Sequence, residues 1–206
     1  MPSSRTSLAA LLDPRPAAPP LVVTPEHVGG SVAWSDLRRS GALAELRDGV
    51  AVPAGSVVGA LHRALALGGE VPARCVLAAS TAAWVYTGWY DGVVTAAWPV
   101  GAPVELAYSR GARYPTPLPG QVVRRAPGLA RDTAELAGVP VTTPARTAVD
   151  VACTVPTDAA VPVLVALAER GVDLRRAARV LDQRARVVGR PAAHRALSAA
   201  RERLSG

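Results

Sequence analysis

From residue 21 onward, short apolar runs alternate with turn chemistry, and each run is brief enough to bound one element. Thr24-Pro25-Glu26 opens a short helix: threonine caps well, and proline at the first helical position loses nothing because its N–H would be unpaired there. Gly29-Gly30 ends it within about one turn. Ser31 caps the next helix, Val32 to Ser40, with Gly41 as its left-handed stop. Ala42 to Leu46 and Val50 to Val52 flank Arg47-Asp48-Gly49. Asp-Gly between two apolar runs predicts a β-hairpin, since both central residues of a type I′ turn need positive φ. A short helix over Ser7 to Leu12 and a proline-rich spacer, residues 13–20, come before these elements. Helix, turn, helix and hairpin within residues 1–54 is the order of a winged helix-turn-helix, and Pro53-Ala54-Gly55 marks its boundary.

Residues 55–206 read as a second unit. Ser56 to Leu67 predicts a helix, Arg74 to Leu77 a strand, and Ser80 to Tyr86 a helix ending near Gly88. Val93 to Trp98, Val104 to Tyr108 and Gln121 to Arg125 predict strands, with Val139 to Thr142 a further extended piece. Thr143-Pro144 opens a helix whose Ala145, Ala148, Val149 and Ala152 share one face. Thr157 to Arg170 is helical, disturbed by Pro162 and stopped by Gly171. Asp173 caps a helix reaching about Arg186, and Gly189-Arg190-Pro191 starts the last, running to Leu204. The expected class is α+β: an N-terminal winged helix-turn-helix, then a mixed α/β domain with a helical C-terminal half.

Composition narrows the chemistry. Half of the 206 residues are hydrophobic and 19% are charged, which excludes a wholly disordered chain. The longest apolar run, Ala159 to Ala168, is about half of what a membrane-spanning helix needs. Leu8 to Leu12 is too short for a secretory signal, and Cys75 and Cys153 lack ligand-like spacing, so a cytoplasmic protein with free thiols is expected. All 23 basic residues are Arg, which excludes Walker A, Schiff-base and nuclease-core lysines. His27, His62 and His194 have no companion at metal-ligating spacing, and no nucleophile elbow, HExxH or glycine-rich phosphate signature occurs. The chain is therefore expected to bind and not to catalyse, with no metal and no cofactor.

Charge is placed unevenly. The formal net charge is +7, and residues 1–54 and 55–169 each balance to zero, so the whole excess lies in residues 170–206. There, Arg175, Arg176, Arg179 and Arg186 fall within an arc of about 100° on one helix. Leu174, Ala177, Ala178, Leu181 and Ala185 lie opposite, so the helix buries one stripe and offers a guanidinium face to a partner or to phosphates. Arg190, Arg195, Arg201 and Arg203 extend that positive field. In the first unit, Arg38, Arg39 and Arg47 are the side chains that would reach DNA phosphates from the recognition helix and wing. Trp34 is expected to anchor that unit's core, and Arg146 with Asp150, at i and i+4, to fix its helix to the sheet. Trp84, Tyr86, Trp89 and Tyr90 form an aromatic cluster expected to belong to the core, with an edge that suits protein contact.

The order VVTPEHV, SDLRRSGALAELRDGVAVP, LAASTAAWVYTG, PVELAYSRG and VVRRAPGLARDTAELAGVPVTTPARTAVDVA resembles the actinobacterial AbiEi-type antitoxins of type IV toxin–antitoxin systems. The most specific stretch is Gly138 to Ala152, and the resemblance covers about residues 20–200. It implies a winged helix that binds the chain's own operator DNA and represses the operon, and a C-terminal domain linked to antitoxicity against a nucleotidyltransferase-like toxin. Some relatives carry a further nuclease-like domain, which is not expected here. The alternative is a protein-interaction module whose degenerate winged helix no longer binds DNA, since Val32-Ala33-Trp34 offers little at the front of the recognition helix to read bases. An enzyme on an unrecognised scaffold ranks behind both.

Overall fold

A computed structural model describes residues 20–206 apart from 110, 112, 185 and 186. The expected helix at Ser7 to Leu12 and nearly all of the proline-rich spacer lie outside the described residues. Pro25–Val28 forms one turn of 3-10 helix, which Gly29 closes at φ 90°. Helix α1, Ser31–Arg39, follows and buries Trp34. Strands β1, Leu43–Arg47, and β2, Val50–Pro53, pair antiparallel as expected, but of the turn residues only Gly49 has positive φ, at 73°, so the turn is not the expected type I′. Val23 bridges Ala51 through two main-chain hydrogen bonds of 2.7 and 2.9 Å, which ties the start of the segment to its hairpin.

Packing crosses the boundary expected at residues 53–55. Helix α2, Ala60–Gly68, sets Ala66 against buried Leu46 and Val52 of the hairpin. The main-chain N–H of Trp98 donates to Leu46 O at 2.7 Å. The hairpin thus completes its apolar face on residues from beyond the boundary.

The central layer is a five-stranded mixed sheet in the order β7-β6-β3-β9-β8. Its strands are β3, Cys75–Leu77; β6, Val104–Ser109; β7, Gln121–Ala126; β8, Thr133–Leu136; and β9, Val139–Thr142. β6 runs parallel to β7 and antiparallel to β3, while β9 runs parallel to β3 and antiparallel to β8. β3 is buried throughout, as an apolar strand covered on both faces must be. Helix α3, Ala79–Thr87, leads from β3 to a two-residue ribbon, β4, Trp89–Tyr90, with β5, Val93–Val94. Of the strand expected over Val93 to Trp98, only this first pair forms. Beyond it, Thr95 N turns back to Gly88 O at 2.8 Å and Trp98 N leaves for the hairpin.

β8 is a strand that the sequence pattern does not predict. It returns into β9 through Ala137 and Gly138 at φ 51° and 81°. Alanine seldom takes the left-handed conformation, so Ala-Gly is a weak turn signal.

Four helices form the outer layer: α4, Pro144–Thr154; α5, Thr157–Glu169; α6, Leu174–Gln183; and α7, Arg190–Ser205. Val149, Val151, Leu164, Leu167, Leu181 and Leu197 interlock between them in one apolar cluster that reaches Ala83 of α3. α5 continues through Pro162 without interruption. α6 ends at Gln183, short of the expected Arg186, because Arg184 is extended at ψ 122° and its side chain turns inward.

Candidate functional site

The three arginines expected to contact DNA each meet an acid of the same chain. Arg38 Nη2 lies 2.8 Å from Glu45 on β1, and Arg39 Nη1 lies 2.8 Å from Asp36 one turn back. Arg47 forms a two-point pair with Glu70, its Nε and Nη2 donating at 2.6 and 2.9 Å. The Arg39 and Arg38 side chains remain 75% and 46% exposed, while Arg47 is 24% exposed and held against the chain just past α2. At the front of α1, Val32 is 76% exposed, so the first turn offers an apolar side chain and no charge. Spacing could have shown Asp36 with Arg39. Glu45 and Glu70 were reachable only through the fold.

The face on α6 is arranged differently. Leu174, Ala177 and Leu181 are buried, and Arg175, Arg176 and Arg179 are exposed together on the other side, as the periodicity predicts. Asp173 caps the helix, its Oδ1 accepting from the N–H groups of Arg175 at 2.8 Å and Arg176 at 3.1 Å. The Arg176 N–H and then that of Arg175, with Arg179 nearby, hold the Asp173 carboxyl below its ordinary range. Arg179 approaches Asp173 only to 3.7 Å. Among the described residues, no carboxylate lies within 4 Å of the Arg175 or Arg176 guanidinium. Arg186, the fourth member of the expected set, lies outside the described residues. Arg195, Arg201 and Arg203 are exposed on α7, and His194 Nε2 meets Asp182 at 2.8 Å, which links the two helices.

A second group of charges is internal. Arg146, 5% exposed, sets Nε against both carboxylate oxygens of Asp150 at 2.7 and 2.8 Å, the expected i, i+4 pair. Its Nη1 donates to Asp132 at 3.0 Å and to Pro127 O at 3.2 Å. Arg184 reaches in from the end of α6 to Asp132 at 2.6 Å, with Asp150 3.9 Å away. Burial works against the Arg146 charge, but Asp150 and Asp132 outweigh it and raise its pKa. Burial also pushes the Asp150 carboxyl up, against the pull of Arg146. Sequence reading missed Asp132 and Arg184, since nothing local marks either. Two arginines alternating with two aspartates is a clamp joining α4, the start of β8 and the exit of α6.

Arg63 is another buried arginine, and it uses main-chain acceptors. Nε, Nη1 and Nη2 donate to Val85 O, Val58 O and Tyr86 O at 2.9, 3.0 and 3.3 Å. Burial, followed by the repulsion of Arg170, lowers its pKa to about 10. Among the described residues, no three His, Cys, Asp or Glu side chains are grouped to hold a metal ion, and no helix is long and apolar enough to cross a membrane. No family model matches the chain, and no curated protein matches it at a significant level.

Proposed function

We propose that this chain is an AbiEi-like antitoxin and transcriptional autoregulator acting in the cytoplasm on duplex DNA at its own operator. In this reading α1 and the β1–β2 hairpin serve as a winged helix-turn-helix, and the arginines of α6 add phosphate contacts. The proposed division is residues 1–54 for the winged helix and 55–206 for the antitoxin domain. A nucleotidyltransferase-like toxin is the proposed protein partner, and the activity is binding without bond-making. One observation carries the reading beyond the resemblance: Arg175, Arg176 and Arg179 stand exposed on one helix face, in the region that holds the entire charge excess. Guanidinium groups so placed neutralise phosphates and release counterions, so affinity falls with salt.

The test is a titration of the chain on its upstream DNA at several salt concentrations. Replacing Arg175, Arg176 and Arg179 with Ala should flatten the log–log salt slope by about one unit for each phosphate no longer neutralised. Replacing Arg38, Arg39 and Arg47 should flatten it less, because each already shares its charge with Asp36, Glu45 or Glu70. Slopes unchanged in both variants would overturn the DNA-binding reading. Those three ion pairs, with Val32 exposed at the front of α1, favour a second reading: a protein-interaction module whose winged helix has lost DNA. No DNA binding even at low salt, together with toxin capture that depends on Arg175, Arg176 and Arg179, would select it.

A further inference from the structure

Between the β4–β5 ribbon and helices α3, α4 and α5 lies a cleft of about 360 Å3, within the size range of small-molecule sites. Ala83, Val151 and Val163 form part of its apolar lining, and Trp89 and Tyr90 add aromatic surface. The ribbon is held in place. Thr87 Oγ1 accepts the Trp89 N–H at 3.0 Å and donates to Ala83 O at 2.7 Å, and Trp84 Nε1 donates to Thr95 O at 3.1 Å. The Tyr90 ring packs edge-on against Trp98, with centroids 4.7 Å apart.

The ionisable polar groups on this cleft are of one sign. Asp91 and Glu105 line it, and none of its lining residues is basic, although the chain as a whole carries +7. Glu105 is partly neutralised: Oε2 accepts the Ser80 N–H at 2.9 Å and Oε1 lies 3.2 Å from Arg124. Asp91 has no cation within 4 Å among the described residues. Burial, then Glu105 and Asp91, push the Tyr90 phenol up, the direction a negative local potential produces. Aromatic faces attract cations, most strongly where water is excluded.

We infer that this cleft binds a small organic cation, an ammonium or guanidinium group on an apolar stem, with Asp91 and the Trp89 ring, two residues apart on one face of the ribbon, recognising the charge and the valines the stem. The inference does not depend on DNA binding. It assigns the protein a small-molecule ligand separate from the arginine face.

The experiment titrates the full chain with benzylamine, benzyl alcohol and benzoate, reading the indole and phenol resonances of Trp89 and Tyr90. These probes share a stem and differ in charge. Benzylamine should bind about fivefold tighter than benzyl alcohol, and benzoate weakest of the three. Asp91→Asn is a clean variant, because Asp91 sits at φ 45° before Gly92 and asparagine accepts that left-handed turn position readily. It should weaken benzylamine about threefold and leave benzyl alcohol unchanged. Trp89→Leu should weaken both. Resonances that no probe shifts, benzoate binding as well as benzylamine, or an amine preference undiminished in Asp91→Asn would overturn the inference.

Discussion

Arg63 and Arg146 are both buried, and they meet the cost of desolvation in different ways. Arg63 distributes its donors over three main-chain carbonyls, where no opposite charge compensates it, and its pKa falls. Arg146 has carboxylate partners, so removing it strands charge. Arg146→Met leaves Asp150 without its closest cation, and breaking a buried pair in this way costs about 3–5 kcal/mol of stability by urea denaturation. Adding Asp150→Leu should restore much of the loss, because charge stranding and not missing volume causes it. The pH dependence has a defined sign. With its carboxyl raised in the folded state, Asp150 contributes more stability below its unfolded pKa, and that share is lost as pH rises through the folded value. In Arg146→Met the opposing pull is gone, so stability should fall more steeply as pH rises past the ordinary aspartate range. A flat profile would contradict the cluster.

Among the elements, α6 is the clearest case of local information at work. Buried Leu174, Ala177 and Leu181 and the exposed arginines follow from periodicity, and the cap follows from Asp173 standing before the first turn. Because Asp173 is held below its ordinary pKa, its stabilising effect is present above the unfolded value and lost as pH falls through the folded one. Acidification and Asp173→Ala should therefore both lower the hydrogen-exchange protection factors, taken relative to the intrinsic rate at each pH, in the first two turns of α6, with the two effects not adding. Equal protection in the variant and the parent at neutral pH would contradict the cap. The end of the helix was not legible, because Arg184 leaves it to reach Asp132, whose position depends on the sheet. β8 was hidden for another reason: Ala137 occupies a left-handed turn position that its residue type does not advertise.

The hairpin and the sheet domain share a seam across the whole molecule. Leu46 is buried against Val52 and Ala66, and its carbonyl receives the Trp98 N–H. Leu46→Ala should cost about 2–5 kcal/mol, with tryptophan fluorescence and helical signal lost in one transition. A separate early transition that leaves the helical signal intact would show the helix–hairpin segment unfolding alone.

The sequence by itself determined most of the element list, the Arg146–Asp150 pair and the concentration of positive charge in residues 170–206, because each depends on neighbours within a turn or on a simple count. Tertiary structure decided which charges are available. It set Arg38 on Glu45 and Arg47 on Glu70, drew Arg184 inward, left Arg175 and Arg176 open to solvent, and brought Trp89, Tyr90 and Asp91 beside Val151 and Val163. The physical reason is that Coulomb energy and desolvation depend on distance and burial in space, and separation along the chain encodes neither.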